Sequence, residues 1–167
     1  MGDAKFRVIA VKGGEIVNMS ELAITKASIE NLQDAVRLFD AYRQYYGQPS
    51  DPERARRFLT ERLAKGESVI FLAFKNDHAV GFAQLYQSFS SLAMKPIWIL
   101  NDLFVSPSGR GSGVGTGLLE QCKRLAVETG AKELILETMK TNITAQRLYE
   151  TSGWKRDEIF YRYNLVI

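Results

Sequence analysis

The sequence of 167 residues contains a single cysteine, Cys122, and a single histidine, His78. One cysteine cannot form an internal disulfide, and one cysteine with one histidine cannot supply the clustered ligands of a zinc site. Cys122 lies in line with Leu118 and Leu125 at helical spacing, which predicts packing in the core rather than nucleophilic catalysis. We therefore expect no disulfide framework and no metal, and we expect His78 to lie at the surface.

Long apolar runs and blocks of charge are also missing. No run approaches the roughly 20 residues of a membrane-spanning helix, and the first residues lack the charged-then-apolar pattern of a signal peptide. The net charge is only +3, and the basic residues are scattered, which argues against a nucleic-acid groove. Composition and length fit one globular domain. We expect a cytoplasmic protein with no membrane or nucleic-acid partner.

The most informative stretch is residues 103–119, where an apolar strand is predicted to end and an amphipathic helix to begin. Arg110 is followed by glycines at 111, 113 and 115, which allow a tight turn that directs several backbone N–H groups to one point. The next helix adds its unpaired first-turn amides and the positive end of its dipole. Glycine-rich turns are common by chance, but this one is suited to phosphate oxygens.

Two nucleotide-binding motifs fit this stretch poorly. A Walker-type loop needs a lysine, and none occurs between Lys95 and Lys123. A Rossmann fingerprint needs a third glycine where Thr116 stands, and Glu133 or Glu137 is only a loose match to its acidic position. The remaining pattern, Arg or Gln, two residues, Gly, one residue, then Gly or Ala, resembles the pyrophosphate loop of the GNAT family, the acetyl-CoA-dependent N-acetyltransferases.

Periodicity and capping residues predict the other elements. They are a strand at 22–25, a helix capped by Ser28, a second helix opened by Asp51-Pro52, a hairpin of 68–74 and 79–89, strands at 97–105 and 133–138, helices at 113–129 and after Asn142, and final strands at 154–155 and 158–166. Residues 1–18 are interpreted as an extension that could add a strand through Phe6 to Val11. The domain itself is predicted to be 19–167.

This order of elements is similar to the GNAT fold, the acyl-CoA N-acyltransferase fold. That α/β fold is a mixed sheet of about seven mostly antiparallel strands, with helices on both faces and a splay between strands 4 and 5, here 97–105 and 133–138. The resemblance is carried, in order, by Asn101-Asp102-Leu103-Phe104-Val105 leading into Arg110-Gly-Ser-Gly-Val-Gly, by Glu137-Thr-x-x-x-Asn142, and by Ala145-Gln-Arg-Leu148-Tyr149-Glu-x-x-Gly153-Trp154. The first motif looks closest to the branch of the yeast histone and polyamine acetyltransferases and the diamine acetyltransferases.

The resemblance implies that acetyl-CoA lies in the cleft at the splay. Backbone groups of residues 103–105 would pair with the pantetheine arm as an added strand would, and residues 110–116 would hold the pyrophosphate. Asn142 would steady the arm near the short helix. The implied cofactor-binding residues are Leu103, Phe104, Val105, Arg110, Gly111, Ser112, Gly113, Val114, Gly115, Thr116, Asn142 and Ala145.

Acetyl transfer to an amine requires proton movements that these residues can supply. An aliphatic ammonium has a pKa of about 10.4 in water and cannot attack while charged. The resemblance implies Tyr149 as the acid that protonates the leaving thiolate, since a phenol pKa of about 10 suits a thiol. The base stays open between Asp102, Glu137 and a chain of waters, because Asn101 stands where diamine acetyltransferases carry a glutamate, and an amide takes no proton. We expect Asp102 and Asn101 on opposite strand faces.

The predicted function is therefore transfer of an acetyl group from acetyl-CoA to a primary amine by direct attack in a ternary complex. Tyr45, Tyr46 and Asn101 are candidate substrate-binding residues, because aromatic faces attract a cationic amine, although the tyrosines could equally pack. A small polyamine, diamine or amino compound is the first substrate hypothesis. Alternatives are a protein lysine or amino terminus, or a non-catalytic acyl-CoA-binding module. A homodimer is expected, since the apolar strand 159–166 offers an edge.

Overall fold

The computed structural model describes residues 22–167 and, before them, the backbone of three short strands, β1 (Ala4–Phe6), β2 (Ala10–Lys12) and β3 (Glu15–Val17). The predicted strand from Phe6 to Val11 falls partly on residues outside this description, and the predicted boundary after residue 18 stays a prediction. The other elements are β4 (Leu22–Lys26), α1 (Leu32–Tyr45), α2 (Pro52–Ala64), β5 (Ser68–Lys75), β6 (His78–Ser90), β7 (Lys95–Val105), α3 (Val114–Glu128), β8 (Leu134–Leu136) and α4 (Ile143–Thr151).

Six strands form one mixed sheet in the order β1-β4-β5-β6-β7-β8, and β2 and β3 form a separate hairpin. All neighbours in the sheet are antiparallel except β7 and β8, which are parallel. The β5–β6 hairpin turns at Asn76 and Asp77, which both have positive φ, 50° and 60°, as the tight two-residue turns that join antiparallel strands require. The predicted mixed α/β sheet is confirmed.

Helices cover both faces of the sheet, and two adjacent residues of β6 show this directly. The Phe82 ring packs against the rings of Phe39 and Tyr42 in α1. A Cβ on Gly81 would instead lie 2.9 Å from Val114 Cγ1 in α3. Because successive strand residues point to opposite faces, α1 lies on one face and α3 on the other.

The connection between α1 and α2 is held by a buried carboxylate, Asp40. It accepts hydrogen bonds from Ser50 Oγ at 2.7 Å, from the Asp51 backbone N–H at 2.8 Å and from Gln44 Nε2 at 2.9 Å. Burial alone would raise the pKa of Asp40, but these hydrogen bonds and the charge of Arg43 outweigh it and lower the pKa. The connection that carries Tyr45 and Tyr46 is thereby anchored at both ends.

The chain forms two compact units, Met1–Glu137 and Thr138–Ile167, and the second contains α4. Asn142 caps this helix, since its Oδ1 accepts from the Ala145 N–H at 3.3 Å, as predicted. The predicted strands at 154–155 and 158–166 are wrong, because no strand is formed there. Strand-forming residues need a neighbouring strand to pair their backbone groups, and this segment has no such neighbour among the described residues.

Candidate active site

One edge of β7 is open where the predicted splay begins. β8 pairs only with residues 98–100 of β7. Residues 101–105 have no strand partner on that side within the described part of the chain. Backbone N–H and C=O groups there can pair with an extended ligand. Leu103, Phe104 and Val105, predicted to contact the cofactor, lie on this free stretch.

The glycine-rich turn after β7 leads directly into α3. Gly111 and Gly113 have φ of 71° and 79°, a conformation that L-residues adopt at a cost and glycine adopts freely. The first bond of the helix runs from the Gly117 N–H to the Gly113 carbonyl at 2.9 Å, and no side chain in the described residues caps the helix start. The N–H groups of residues 114–116 therefore precede the helical ladder and are suited to an anion.

Two side chains of this turn brace its backbone. Ser112 Oγ donates to the Gly109 carbonyl at 2.8 Å, and Arg110 Nε donates to the Val105 carbonyl at 3.2 Å. Arg110 is exposed, so its remaining guanidinium N–H groups can reach a bound phosphate. The predicted pyrophosphate residues 110–116 are thus contiguous, and their donors are available.

Asp102 is a buried carboxylate on the free stretch of β7. It is 5% exposed, and it accepts hydrogen bonds from Asn101 Nδ2 at 3.2 Å and from the Tyr42 hydroxyl. Burial raises the pKa of Asp102, and the two hydrogen bonds lower it only in part. Such a carboxylate readily takes up a cationic partner or a proton.

Asn101 and Asp102 were expected on opposite faces of the strand, and the structure shows that their side chains are nevertheless hydrogen-bonded to each other. The pairing of β6 with β7 shifts at this point: Gln84 pairs with Asp102, but Leu85 pairs with Leu100. Asn101 is therefore the extra residue of a β-bulge, which breaks the regular alternation and re-aims side chains.

The tyrosines at the end of α1 lie beside this carboxylate. The rings of Tyr42 and Tyr46 are 5.0 Å apart, and those of Tyr45 and Tyr46 are 5.3 Å apart. Burial raises the pKa of Tyr46, and electrostatic interactions with Tyr45 and Asp102 raise it further. The structure thus brings Tyr46 into electrostatic reach of Asp102, whereas Tyr45 is the more exposed of the two.

Sequence reasoning missed two polar residues of β6 at this site, Gln84 and Tyr86. Gln84 is completely buried, and its Nε2 donates to Tyr86 Oη at 2.9 Å. Burial, followed by the charge of Asp102, raises the pKa of Tyr86 to about 12, so the phenol stays protonated. The available signal was a glutamine inside an apolar strand; its place opposite Asp102 depends on strand register.

Glu137 and Tyr149 are the other two predicted catalytic residues. Glu137 is exposed and follows β8 by one residue. In the second unit, Tyr149 is half-buried on α4, and its ring lies 6.2 Å from that of Trp154. Tyr149 and Ala145 are on the same short helix that Asn142 caps. Their predicted roles stay predictions.

The described residues contain neither a cluster suited to a metal ion nor a reactive cysteine. No group of three or more histidine, cysteine, aspartate or glutamate side chains there could hold a metal ion. Burial raises the pKa of Cys122 to about 12, so this thiol is inert, as its predicted packing role implies. In the same part of the chain, no helix combines the length and apolarity needed to cross a membrane.

Comparison with known proteins decides the family. The sequence profile of the acetyltransferase (GNAT) family matches residues 35–154. The chain belongs to the GNAT family. A Bacillus subtilis (strain 168) protein named uncharacterized N-acetyltransferase YhfO is 44% identical over 144 residues, which cover 86% of this chain and 97% of that protein.

Solved structures agree with this GNAT assignment. The crystal structure of a probable acetyltransferase is 43% identical, with a TM-score of 0.82 and coverage of 86% of this chain and 97% of the other. The aminoglycoside N-acetyltransferase AAC(6')-Iy, solved in complex with CoA, is 25% identical with a TM-score of 0.70, covering 87% and 97%. The predicted fold class and enzyme class are confirmed: this GNAT protein is an N-acetyltransferase.

Proposed function

We propose that this GNAT enzyme transfers the acetyl group of acetyl-CoA to a small cationic primary amine, such as a diamine or polyamine, in a ternary complex. The observation that carries the proposal is the buried Asp102 carboxylate, surrounded by tyrosines and adjacent to the free edge of β7. A buried negative charge with an aromatic border favours a positively charged ligand. The motif over 101–105 supports a place near the yeast and diamine branch.

The residues around the free β7 edge fit the cofactor. N–H groups of residues 111–116 and the Arg110 guanidinium would hold the diphosphate. Backbone groups of 103–105 would bind the pantetheine arm, and Asn142 and Ala145 are proposed to steady it. Acetyl-CoA supplies the activated thioester, and the Leu103 N–H would donate to its carbonyl oxygen as negative charge develops.

Three side chains are proposed for the proton transfers. Asp102 binds the incoming ammonium and takes its proton, directly or through water, with Asn101, Tyr45 and Tyr46 bordering the amine. Tyr149 returns a proton to the thiolate as the C–S bond breaks and the C–N bond forms. Glu137, which is exposed, is the second carboxylate candidate for the base.

A panel of amines offered with acetyl-CoA tests this function, with free thiol as the readout. We expect 1,4-diaminobutane and spermidine to release thiol faster than a lysine-containing peptide, because the Asp102 carboxylate is only 5% exposed and a small amine reaches such a group more easily. An aminoglycoside belongs in the panel, since one structural relative is named for acetylating that class. If CoA binds but no amine of the panel releases thiol, the proposed substrate class is wrong. Faster thiol release with the peptide would indicate a protein substrate.

Asp102→Asn is the matched variant for this panel, because it keeps the shape and removes the charge. Hydrogen bonds to a charged group contribute about 1.5–3 kcal/mol, so we expect the KM for the amine to rise roughly 10- to 100-fold with CoA affinity unchanged. In the wild type, KM should also rise as the pH falls through the raised pKa of Asp102, since protonation removes the charge. An unchanged KM in the variant would remove Asp102 from amine binding.

We also propose a cytoplasmic location and a homodimer that forms through the segment 159–167. The seven large apolar residues of this segment are at least 79% exposed, and monomeric proteins rarely expose so many apolar side chains in one contiguous patch. In an extended chain Ile159, Tyr161, Tyr163, Leu165 and Ile167 would share one face, the pattern of a half-buried strand that a second copy can pair with. Light scattering is expected to give twice the mass of the chain, and Tyr161→Lys with Leu165→Lys to give a monomer. A monomeric wild type would contradict this.

A further inference from the structure

The strongest unexplained feature of the molecule is the amide of Gln84. The side chain is completely buried, yet its Oε1 has no hydrogen-bond partner in the described part of the chain, while Nε2 donates to Tyr86 Oη. A buried acceptor without a partner costs about 1–3 kcal/mol. Buried polar atoms are almost always satisfied, so such an exception points to a group that binds there.

The position of Gln84 indicates what that group is. Gln84 is the direct β6 partner of Asp102 on β7, immediately before the bulge, so the two side chains project from the same face of the sheet. That face also bears Phe82, which packs on Tyr42 of α1. The Asp102 carboxylate already accepts hydrogen bonds from the Asn101 amide and the Tyr42 hydroxyl. The site therefore holds two hydrogen-bond acceptors side by side. One is the negatively charged Asp102 carboxylate, and the other is the neutral Gln84 Oε1, to which no described residue donates.

We propose that Gln84 Oε1 accepts a hydrogen bond from the ammonium of the acceptor substrate, beside Asp102, so that the pair recognises a primary ammonium by its N–H groups and not by charge alone. This inference rests on the proposed function and narrows its substrate class. A primary ammonium carries three N–H donors and a quaternary ammonium carries none. Gln84 therefore selects unsubstituted amines against N-methylated ones of equal charge.

The test is a calorimetric cycle on the full-length protein with saturating CoA, using two probes of equal charge, 1-aminohexane and hexyltrimethylammonium. Gln84→Met removes the acceptor and keeps the length of the side chain. We expect this variant to bind 1-aminohexane about tenfold or more weakly, because one hydrogen bond to a charged group is lost. The affinity for hexyltrimethylammonium should change less than twofold. The proposal is overturned if Gln84→Met loses the same affinity for both probes, or if it loses no affinity for 1-aminohexane.

Two further measurements separate recognition from a structural role. Gln84→Glu keeps an acceptor oxygen, and we expect it to bind 1-aminohexane within about threefold of the wild type. Gln84→Met is expected to lower the Tm only by the loss of the one hydrogen bond from Nε2 to Tyr86 Oη, and because that loss is common to both probes it cannot produce a difference between them. If Gln84→Met does not fold, Gln84→Leu takes its place. Weak amine binding by Gln84→Glu, equal to that of Gln84→Met, contradicts the proposal.

The outcomes distinguish this inference from the function on which it rests. If the wild type binds 1-aminohexane through Gln84 but releases no thiol from acetyl-CoA, the proposed function fails and the inference stands. If amines are acetylated and Gln84→Met binds them equally well, the inference fails and the function stands. If the wild type binds neither probe, the recognition site assigned to Gln84 does not exist.

Discussion

Replacing Gly113 with aspartate is expected to weaken acetyl-CoA binding on the order of 100-fold without loss of the fold. Gly113 precedes α3 with φ of 79°, and a Cβ there would meet no atom within 4 Å. Asp and Asn are the L-residues that tolerate this conformation best. The new charge lies beside the proposed diphosphate, where like charges about 6 Å apart repel by about 3 kcal/mol at an effective dielectric constant of 20. Calorimetry with acetyl-CoA measures the effect.

Gly113→Asn is the matched control for this variant, since it has the same shape and the same backbone strain without the charge. We expect it to lose only a few-fold in affinity. A negative charge at a helix start stabilises the helix, so the Tm of Gly113→Asp should be no lower than that of Gly113→Asn. If the two variants bind acetyl-CoA equally, the diphosphate does not lie at the start of α3.

The parts of this molecule that local chemistry controls were predictable from the sequence. Asp51 followed by Pro52 marks the start of α2, and its side chain accepts from the Arg54 N–H as a capping residue should. The Asn76-Asp77 turn defines the β5–β6 hairpin. The glycine-rich turn is similarly local, because the spacing of its glycines dictates where the backbone can take positive φ.

The parts that depend on pairing between distant segments were not predictable. The contact of Asn101 with Asp102, and the place of Gln84 opposite Asp102, both follow from a bulge in the register of β6 and β7. Nothing local to residues 84 or 101 encodes that register. Residues 158–166 have strong strand propensity, but propensity supplies no partner strand, and the predicted strand is absent.

Removing the hydroxyl of Tyr149 is expected to lower kcat roughly 100- to 1,000-fold, the contribution of a positioned general acid. Tyr149→Phe keeps the ring on α4 that lies 6.2 Å from that of Trp154, so the ring packing is preserved and the proposed proton donor is lost. The affinity for acetyl-CoA should stay within about twofold. Steady-state thiol release and calorimetry measure the two quantities separately.

The pH profile distinguishes an acid from a residue that only positions the substrate. If Tyr149 protonates the thiolate, the wild-type kcat falls at high pH as the phenol ionises, and Tyr149→Phe loses that limb because it has no proton to lose. Tyr163→Phe removes a hydroxyl from an 88% exposed tyrosine and keeps the ring on the proposed dimer face, so kcat and the profile should be unchanged. Full turnover in Tyr149→Phe would exclude the acid role and leave the leaving thiolate to be protonated by solvent.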